Sequence, residues 1–403
     1  MNIVKYIKIS FLNLLIVAIL GTLMRYKIEF EFPYFDQKNI QQAHSHFAFT
    51  GWISHTLYTL IAYYYIGSQY IAKFNKLIIA NLICAYGMLI SFFIQGYGGI
   101  SIFVSVCSIL VNYYFAYLFF HYQKRMENES PALKWFRAGL VFNILSTFGT
   151  FYLGYMMMTK HVVQHFYLAS VYFYLHFQYN GWFLMACFGL FVGLMHKYHI
   201  IFNDKVPFLL LVGCCIPTYF LSTLWANLPT WVYVLTIVAA LLQTFGWVVF
   251  VKKIWDIKLR IANKFNRKSI YIFSMAAIAM SIKIILQLGS TLPEVSKLAF
   301  GFRPIVIAYL HLVLLGIITI FIIGYLLSST LIDSSKKVIL GMFIFIGGIF
   351  LNEFVLMIQG IAAFSYLSIP YLNFLLLIIA IIMFLGIGII YIAIKNSLKK
   401  IEN

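Results

Sequence analysis

Twelve stretches of about 20 apolar residues succeed one another along the chain, and one such stretch is what a helix needs to cross a bilayer core. They fall near 7–24, 40–66, 77–97, 100–120, 137–158 and 166–195, then near 206–226, 230–251, 269–290, 303–328, 337–360 and 370–394. Only 10% of the 403 residues are charged, against about 25% in a soluble domain. No water-facing surface can be built from that composition, which excludes a soluble enzyme, a nucleic-acid binder and a disordered scaffold. The expected fold is all-α: a polytopic bundle of about twelve transmembrane helices, forming one domain over residues 1–403. The links are mostly short, and Pro217 and Pro370 are tolerable in or beside spans because neighbouring helices satisfy freed carbonyls. No convincing six-helix repeat is visible, which weakens a transporter built on repeated halves.

The excess of 29 Lys+Arg over 11 Asp+Glu, a formal charge of +18, follows from topology. The N-terminus, the C-terminus and the links after even-numbered spans hold 22 of the 29, seven of them clustered between Lys252 and Lys268. The opposite side holds six (Arg25, Lys27, Lys38, Lys160, Lys297 and Arg303), and Lys283 lies inside a span. By the positive-inside rule both termini are cytoplasmic, with a bacterial inner membrane the expected location and lipid the expected surroundings. The 252–268 link reads as a solvated, lipid-facing loop. Lys5 and Lys8 precede the first apolar run as in a signal peptide. No small-residue cleavage site follows, however, so Met24-Arg25-Tyr26-Lys27 closes an uncleaved first span. Cys84, Cys107, Cys187, Cys214 and Cys215 all sit in apolar runs without a C-x-x-C partner, which suits buried small hydrophobes better than disulfides or a thiolate metal site.

Against this background the ten histidines stand out. His121, His196 and His199 fall at cytoplasmic span ends, and His161 and His165 in an outer loop. His44, His46, His176 and His311 fall in the outer parts of spans 2, 6 and 10. With Asp36 as N-cap of span 2, His44 lies about two turns into its helix; His176 and His311 lie similarly deep, roughly 10–12 Å below the outer helix ends at the α-helical rise. Each alone could simply bond a carbonyl. Three imidazoles at one depth on separate helices suit a cofactor held between helices, and imidazole is a common ligand of haem iron. His55, eleven residues after His44 and about 16 Å deeper, is taken as a packing or secondary polar residue.

Three short segments resemble the large catalytic subunit of the haem-copper oxidase superfamily, especially its nitric oxide reductase and C-type oxidase branches. In span 2, Ala43-His44-Ser45-His46-Phe47 with Gly51-Trp52 is similar to the low-spin haem segment. His44 is the better match to the axial ligand there, and His46 the competing register. In span 6, His176 to Trp182 resembles the segment that holds the non-haem metal, with Asn180 where the reductase branch has a metal-binding Glu. In span 10, Tyr309-Leu310-His311 followed by Gly316 resembles an H-x-H segment that serves two haems. His311 matches the low-spin ligand, and Tyr309 replaces the high-spin one. Residues two apart on a helix point about 200° apart, so one helix can serve two cofactors.

The resemblance implies one low-spin haem b between His44 and His311, whose bis-imidazole ligation leaves no open position and suits electron transfer. Arg303 is a candidate partner for a propionate, or an interfacial snorkelling residue. Span 7 lacks the family's His-His pair, leaving His176 and the weak ligand Asn180 as a vestigial metal site. No copper or non-haem iron, and no working binuclear centre, is expected. Tyrosine can ligate haem iron, which keeps a second haem at Tyr309 as the lesser alternative. A cytochrome c or quinol donor and a partner subunit are the implied partners. Two other readings stay open: an active terminal oxidase or nitric oxide reductase with an atypical site, and a haem-free transporter or structural subunit using Lys283 and Glu353. Those two residues are buried charges expected to pair with each other.

Overall fold

The computed structural model describes residues 1–123, 130–226, 228–296, 303–364 and 367–399. Among these, every regular element is a helix. Helix α1 (Ile3–Glu29) begins at Asn2, whose side chain accepts from the amide of Lys5. A helical rod over 37–65, α2, begins at Asp36, which accepts from the amide of Asn39 at 2.9 Å and is the cap expected from the sequence. There follow α3 (Ile71–Gln95), α4 (Gly99–Gln123), α5 (Ala132–Met158), α6 (Gln164–Lys197) and α7 (Lys205–Gly213). Then come α8 (Thr230–Asp256), the short α9 (Lys258–Lys264), α10 (Arg267–Gly289), α11 (Pro304–Ser328), α12 (Lys336–Phe364) and α13 (Leu372–Lys399).

Among the described residues, ten helices are long and apolar enough to cross a membrane, or eleven if α7 and the 3-10 turn Pro217–Thr223 form one broken span. The chain is thus an all-helical, multi-pass membrane protein. The two differences from twelve uniform spans have local causes. Pro217 has no amide to continue the helix, and the pair bends by 43° there. The hydroxyl of Thr218 donates at 2.7 Å to the carbonyl of Cys214, which also accepts the Thr218 amide. The rod α2 is continuous, but its first half, QKNIQQAHSHF, is too polar to resemble a lipid-facing helix.

The contacts group into two compact units, residues 1–127 with 329–403 and residues 128–328. In the first unit α1 packs on α2 and α13, α2 on α3, α3 on α4, and α12 on α13. Ala43 of α2 meets Met88 and Phe92 of α3 in a small apolar core. Helices α12 and α13 approach closely through glycine: a Cβ on Gly386 would stand 2.7 Å from the backbone nitrogen of Phe345. Small residues are what allow such contact between helices in lipid.

In the second unit α5 packs on α6, α7 on α8, α8 on α10, and α10 and α6 on α11. Helix α6 is the most enclosed, with 89% of its most apolar stretch buried. Gly149 on α5 is again a close approach, a Cβ there falling 2.5 Å from the carbonyl oxygen of Ser170. Large apolar side chains point outward from both units, among them Ile83, Ile94 and Phe103 in the first and Trp231 and Ile285 in the second. Such faces suit hydrocarbon rather than water.

Candidate functional site

The three histidine-bearing helices share a local distortion. Residues Ala48–Ser54 of α2, Phe177–Phe183 of α6 and Leu312–Thr319 of α11 are π-helical. Each wide turn starts immediately or one residue beyond a histidine and its neighbour: after His46-Phe47, after His176 and after His311. Each also holds a glycine five residues past that histidine: Gly51, Gly181 and Gly316. A Cβ at Gly51 would fall 2.7 Å from the Phe47 ring, and one at Gly181 would fall 2.5 Å from Cβ of Phe142. π turns concentrate at functional sites. The repeated His-x4-Gly spacing was readable in the sequence, whereas the turn type was not.

A π turn misaligns carbonyls with the amides that would satisfy them, and inside a membrane they need other donors. In α2 side chains supply them. Asn13 of α1 donates to the carbonyl of Gly51 at 2.5 Å, and its own oxygen accepts from the Tyr86 hydroxyl at 2.7 Å. Asn81 of α3 adds a second donor, at 3.1 Å, to the carbonyl of Thr50, which also accepts the His55 amide. Within the rod, the hydroxyls of Thr50 and Thr56 donate to the carbonyls of His46 and Trp52. In α6, Gln178 donates to Asn143 and Ser146 of α5, both at 2.8 Å.

The two candidate ligands of α2 differ in how their rings are used. His44 donates from Nδ1 to the carbonyl of Val17 at 3.1 Å, which fixes the tautomer and leaves Nε2 an unprotonated lone pair. Nε2 makes no hydrogen bond among the described residues. Gly21, one turn beyond Val17, makes room for the ring, since a Cβ there would lie 3.4 Å from Cε1. His46 instead stacks on Phe92, with centroids 4.2 Å apart and planes 9° apart, and its Nε2 meets the Tyr97 hydroxyl at 3.2 Å.

In the second unit His176 is 1% exposed and has both ring nitrogens engaged. Nε2 donates to the carbonyl of Cys215 at 2.8 Å, and Nδ1 accepts from the Asn180 amide at 3.1 Å. The Cys215 sulfur lies 4.0 Å from Nε2. Lys283, also 1% exposed, lies within electrostatic reach of both Cys215 and His176. No group of three His, Cys, Asp or Glu side chains suited to a metal occurs among the described residues. The non-haem metal suggested by the family segment does not fit this donor set.

His311 closes the first part of α11, directly before the π turn. Tyr309 packs its ring at 6.2 Å from Tyr179, nearly edge-on at 70°. Arg303 directly precedes Pro304 at the start of α11, and its side chain lies outside the described residues. Glu353 accepts from Asn352 and lies within electrostatic reach of Arg25, so within its own unit its neighbours are those of α1 and α12. That Lys283 comes within electrostatic reach of His176, and Arg25 of Glu353, was not legible in the sequence, because their helices are far apart in the chain.

No protein-family model and no curated protein matches this chain.

Proposed function

We propose that the chain is an integral membrane haem protein that binds one low-spin haem b through His44 and His311 and serves electron transfer. The single observation that carries this reading is the state of the His44 ring. Its Nδ1–H is held by a backbone carbonyl while Nε2 is left without a hydrogen bond, the arrangement that orients a metal-ligating histidine and raises its basicity. The π turn directly after His311 supports the reading from the other helix. A haem with two axial imidazoles exchanges one electron at iron and offers no open position to a substrate. The chain's own residues orient the imidazoles, exclude water and keep the site in an apolar surrounding that tunes its potential.

In this reading the second metal centre is degenerate, and a haem at Tyr309 is not part of the site. Both termini face the cytoplasm of a bacterial inner membrane, and a cytochrome c or quinol supplies the electron, with or without a partner subunit. The test is a reduced-minus-oxidised spectrum of the purified protein. Haem b bands that His44→Ala and His311→Ala abolish, and His46→Ala leaves in place, support the assignment. Absence of haem bands, or bands indifferent to His311→Ala, overturns it.

A further inference from the structure

The link that joins α8 to α10 through α9 gathers positive charge without an internal counter-ion. Lys252, Lys253, Lys258, Arg260, Lys264, Arg267 and Lys268 all fall here, and after Asp256 no acidic residue occurs before Glu294. Among the described residues none of these seven cations forms an ion pair. Lys258 instead holds its ammonium 3.9 Å from the centroid of the Trp255 ring, an aromatic partner that leaves the charge unneutralised. Asp204, from the α6–α7 link, is already committed to Lys134 and Trp135. Arg267 and Lys268 stand in the first turn of α10, where the helix dipole disfavours cations. Like charges collected in this way attract an anion from outside the chain.

The link is held in place. Phe265 is buried with its ring 4.9 Å from that of Tyr198, whose hydroxyl donates to the carbonyl of Ser328 at 3.2 Å. Asn266 caps α10 by accepting from the amide of Lys268 at 3.0 Å. The contact with Tyr198 also brings the link to the end of α6, which closes on the exposed His196 and Lys197. Between these anchors α9 buries none of its residues. Leu259 is 73% exposed, and Trp255 before it 66%. A nucleotide or a free phosphate has no use for such apolar groups. At a bilayer surface they enter the boundary between headgroups and acyl chains, while lysine and arginine stems lift their charged ends to the phosphates.

We infer that the α8–α10 link is a binding surface for anionic glycerophospholipid. The headgroup phosphates lie among the cations of residues 258–268, and Trp255 and Leu259 enter the acyl region beside them. The inference needs only the multi-pass helical fold and is independent of the haem.

The experiment places the full-length protein in mixed bilayers of phosphatidylcholine and phosphatidylglycerol, with brominated chains on one lipid or the other, and reads the quenching of tryptophan emission. The part of the emission that Trp255→Phe removes reports on lipid at the link. Phosphatidylglycerol is expected to be preferred there by about tenfold, since each nearby cation strengthens anionic-lipid binding by up to about fivefold. Raised salt should weaken the preference. Lys258→Gln/Arg260→Gln/Lys264→Gln should bring it close to one, while Lys258→Arg/Lys264→Arg keeps it. Arg260→Gln/Lys264→Gln repeats the test should the triple variant not fold. Equal quenching by the two lipids in the native chain overturns the inference, as does a folded glutamine variant that keeps the full preference. Excess soluble glycerol phosphate is expected to leave the preference in place; if it abolishes it, the surface takes a free anion and the lipid assignment falls. None of these readouts involves haem, so the two proposals can fail separately.

Discussion

His44 and Val17 are joined across two helices by a 3.1 Å hydrogen bond from the ring Nδ1 to a main-chain carbonyl, with Gly21 against the ring edge. The acceptor belongs to the backbone, so it persists whatever side chain stands at 17. The geometry is instead sensitive at Gly21, where added bulk displaces the ring. Substitution of Gly21 by valine is expected to cost haem about tenfold in affinity, the low end of what outer-shell changes cost a metal site. Haem-to-protein ratio after titration with hemin measures it. Retention of native affinity in a folded Gly21→Val protein counts against His44 as the ligand. His46→Ala is the companion measurement: it removes the Phe92 stack and the Tyr97 contact, so it should lower thermal stability while haem stays.

Asn13 and Tyr86 make a second cross-helix pair, and it explains how the first unit tolerates a π turn. Asn13 is fully buried and serves Gly51 with its nitrogen and Tyr86 with its oxygen. Replacing it with alanine leaves a carbonyl and a hydroxyl without partners in a region that has little water to offer them. The expected cost is about 2–3 kcal/mol, near the top of the range for stranding buried polar groups. Tyr86→Phe removes only the outer link and should cost about 1 kcal/mol. The two changes should not add, because both act on one chain of bonds. Thermal denaturation of the detergent-solubilised protein compares the three variants; full additivity would mean that the bonds act separately.

Much of this could be anticipated from the chain itself, and the parts that could not have a common cause. Hydrophobic runs place the helices because each span is decided by about 20 neighbouring residues; Asp36 likewise caps α2 through an amide three residues away. The wide turns depend on partners elsewhere: Gly51 finds Asn13, and Gln178 finds Asn143. Nothing near Gly51 in sequence announces that Asn13 will be there. The same holds for Lys283, which within its own unit comes within electrostatic reach of His176 and Cys215. A buried charge advertises that it needs a neighbour but not which one. Residues 206–226 read as one apolar span, and the bend at Pro217 shows that hydropathy counts residues without registering a missing amide.

The glycines of α12 and α13 make a sharper packing test than any large side chain. At Gly386 a methyl group would collide with the Phe345 backbone, and a backbone cannot rotate aside as a side chain can. Gly386→Ala should therefore push the helices apart and cost about 1–3 kcal/mol, the usual range for overpacking. Gly388, two residues on, has nothing within 4 Å of an added Cβ. Gly388→Ala is expected to be neutral or slightly stabilising, since alanine favours the helix by about 1 kcal/mol over glycine. Opposite shifts in melting temperature for the two variants support this contact; equal shifts would show that helix propensity alone is being measured.

Asp204 presents the clearest asymmetry in the second unit. One carboxylate oxygen accepts from Lys134 at 2.6 Å and the other from the Trp135 indole at 2.7 Å, while the aspartate itself is buried. Lys134 keeps a side chain 31% exposed, so water still solvates its ammonium when the partner is lost. Removing the lysine leaves the carboxylate with the indole bond and access to little else, yet the lost ion pair is partly screened; Lys134→Met should cost about 1 kcal/mol, the upper end for pairs open to solvent. Removing the aspartate strands a fully buried indole N–H, and it unties the start of α5 from the segment entering α7. Asp204→Ala should cost about 2–3 kcal/mol, in the range for hydrogen bonds to charged groups. Trp135→Phe, which keeps the ring and removes only the donor, should fall between them. The melting temperatures of the three variants order these costs. If Lys134→Met proves as damaging as Asp204→Ala, the ion pair rather than the buried indole bond holds this corner.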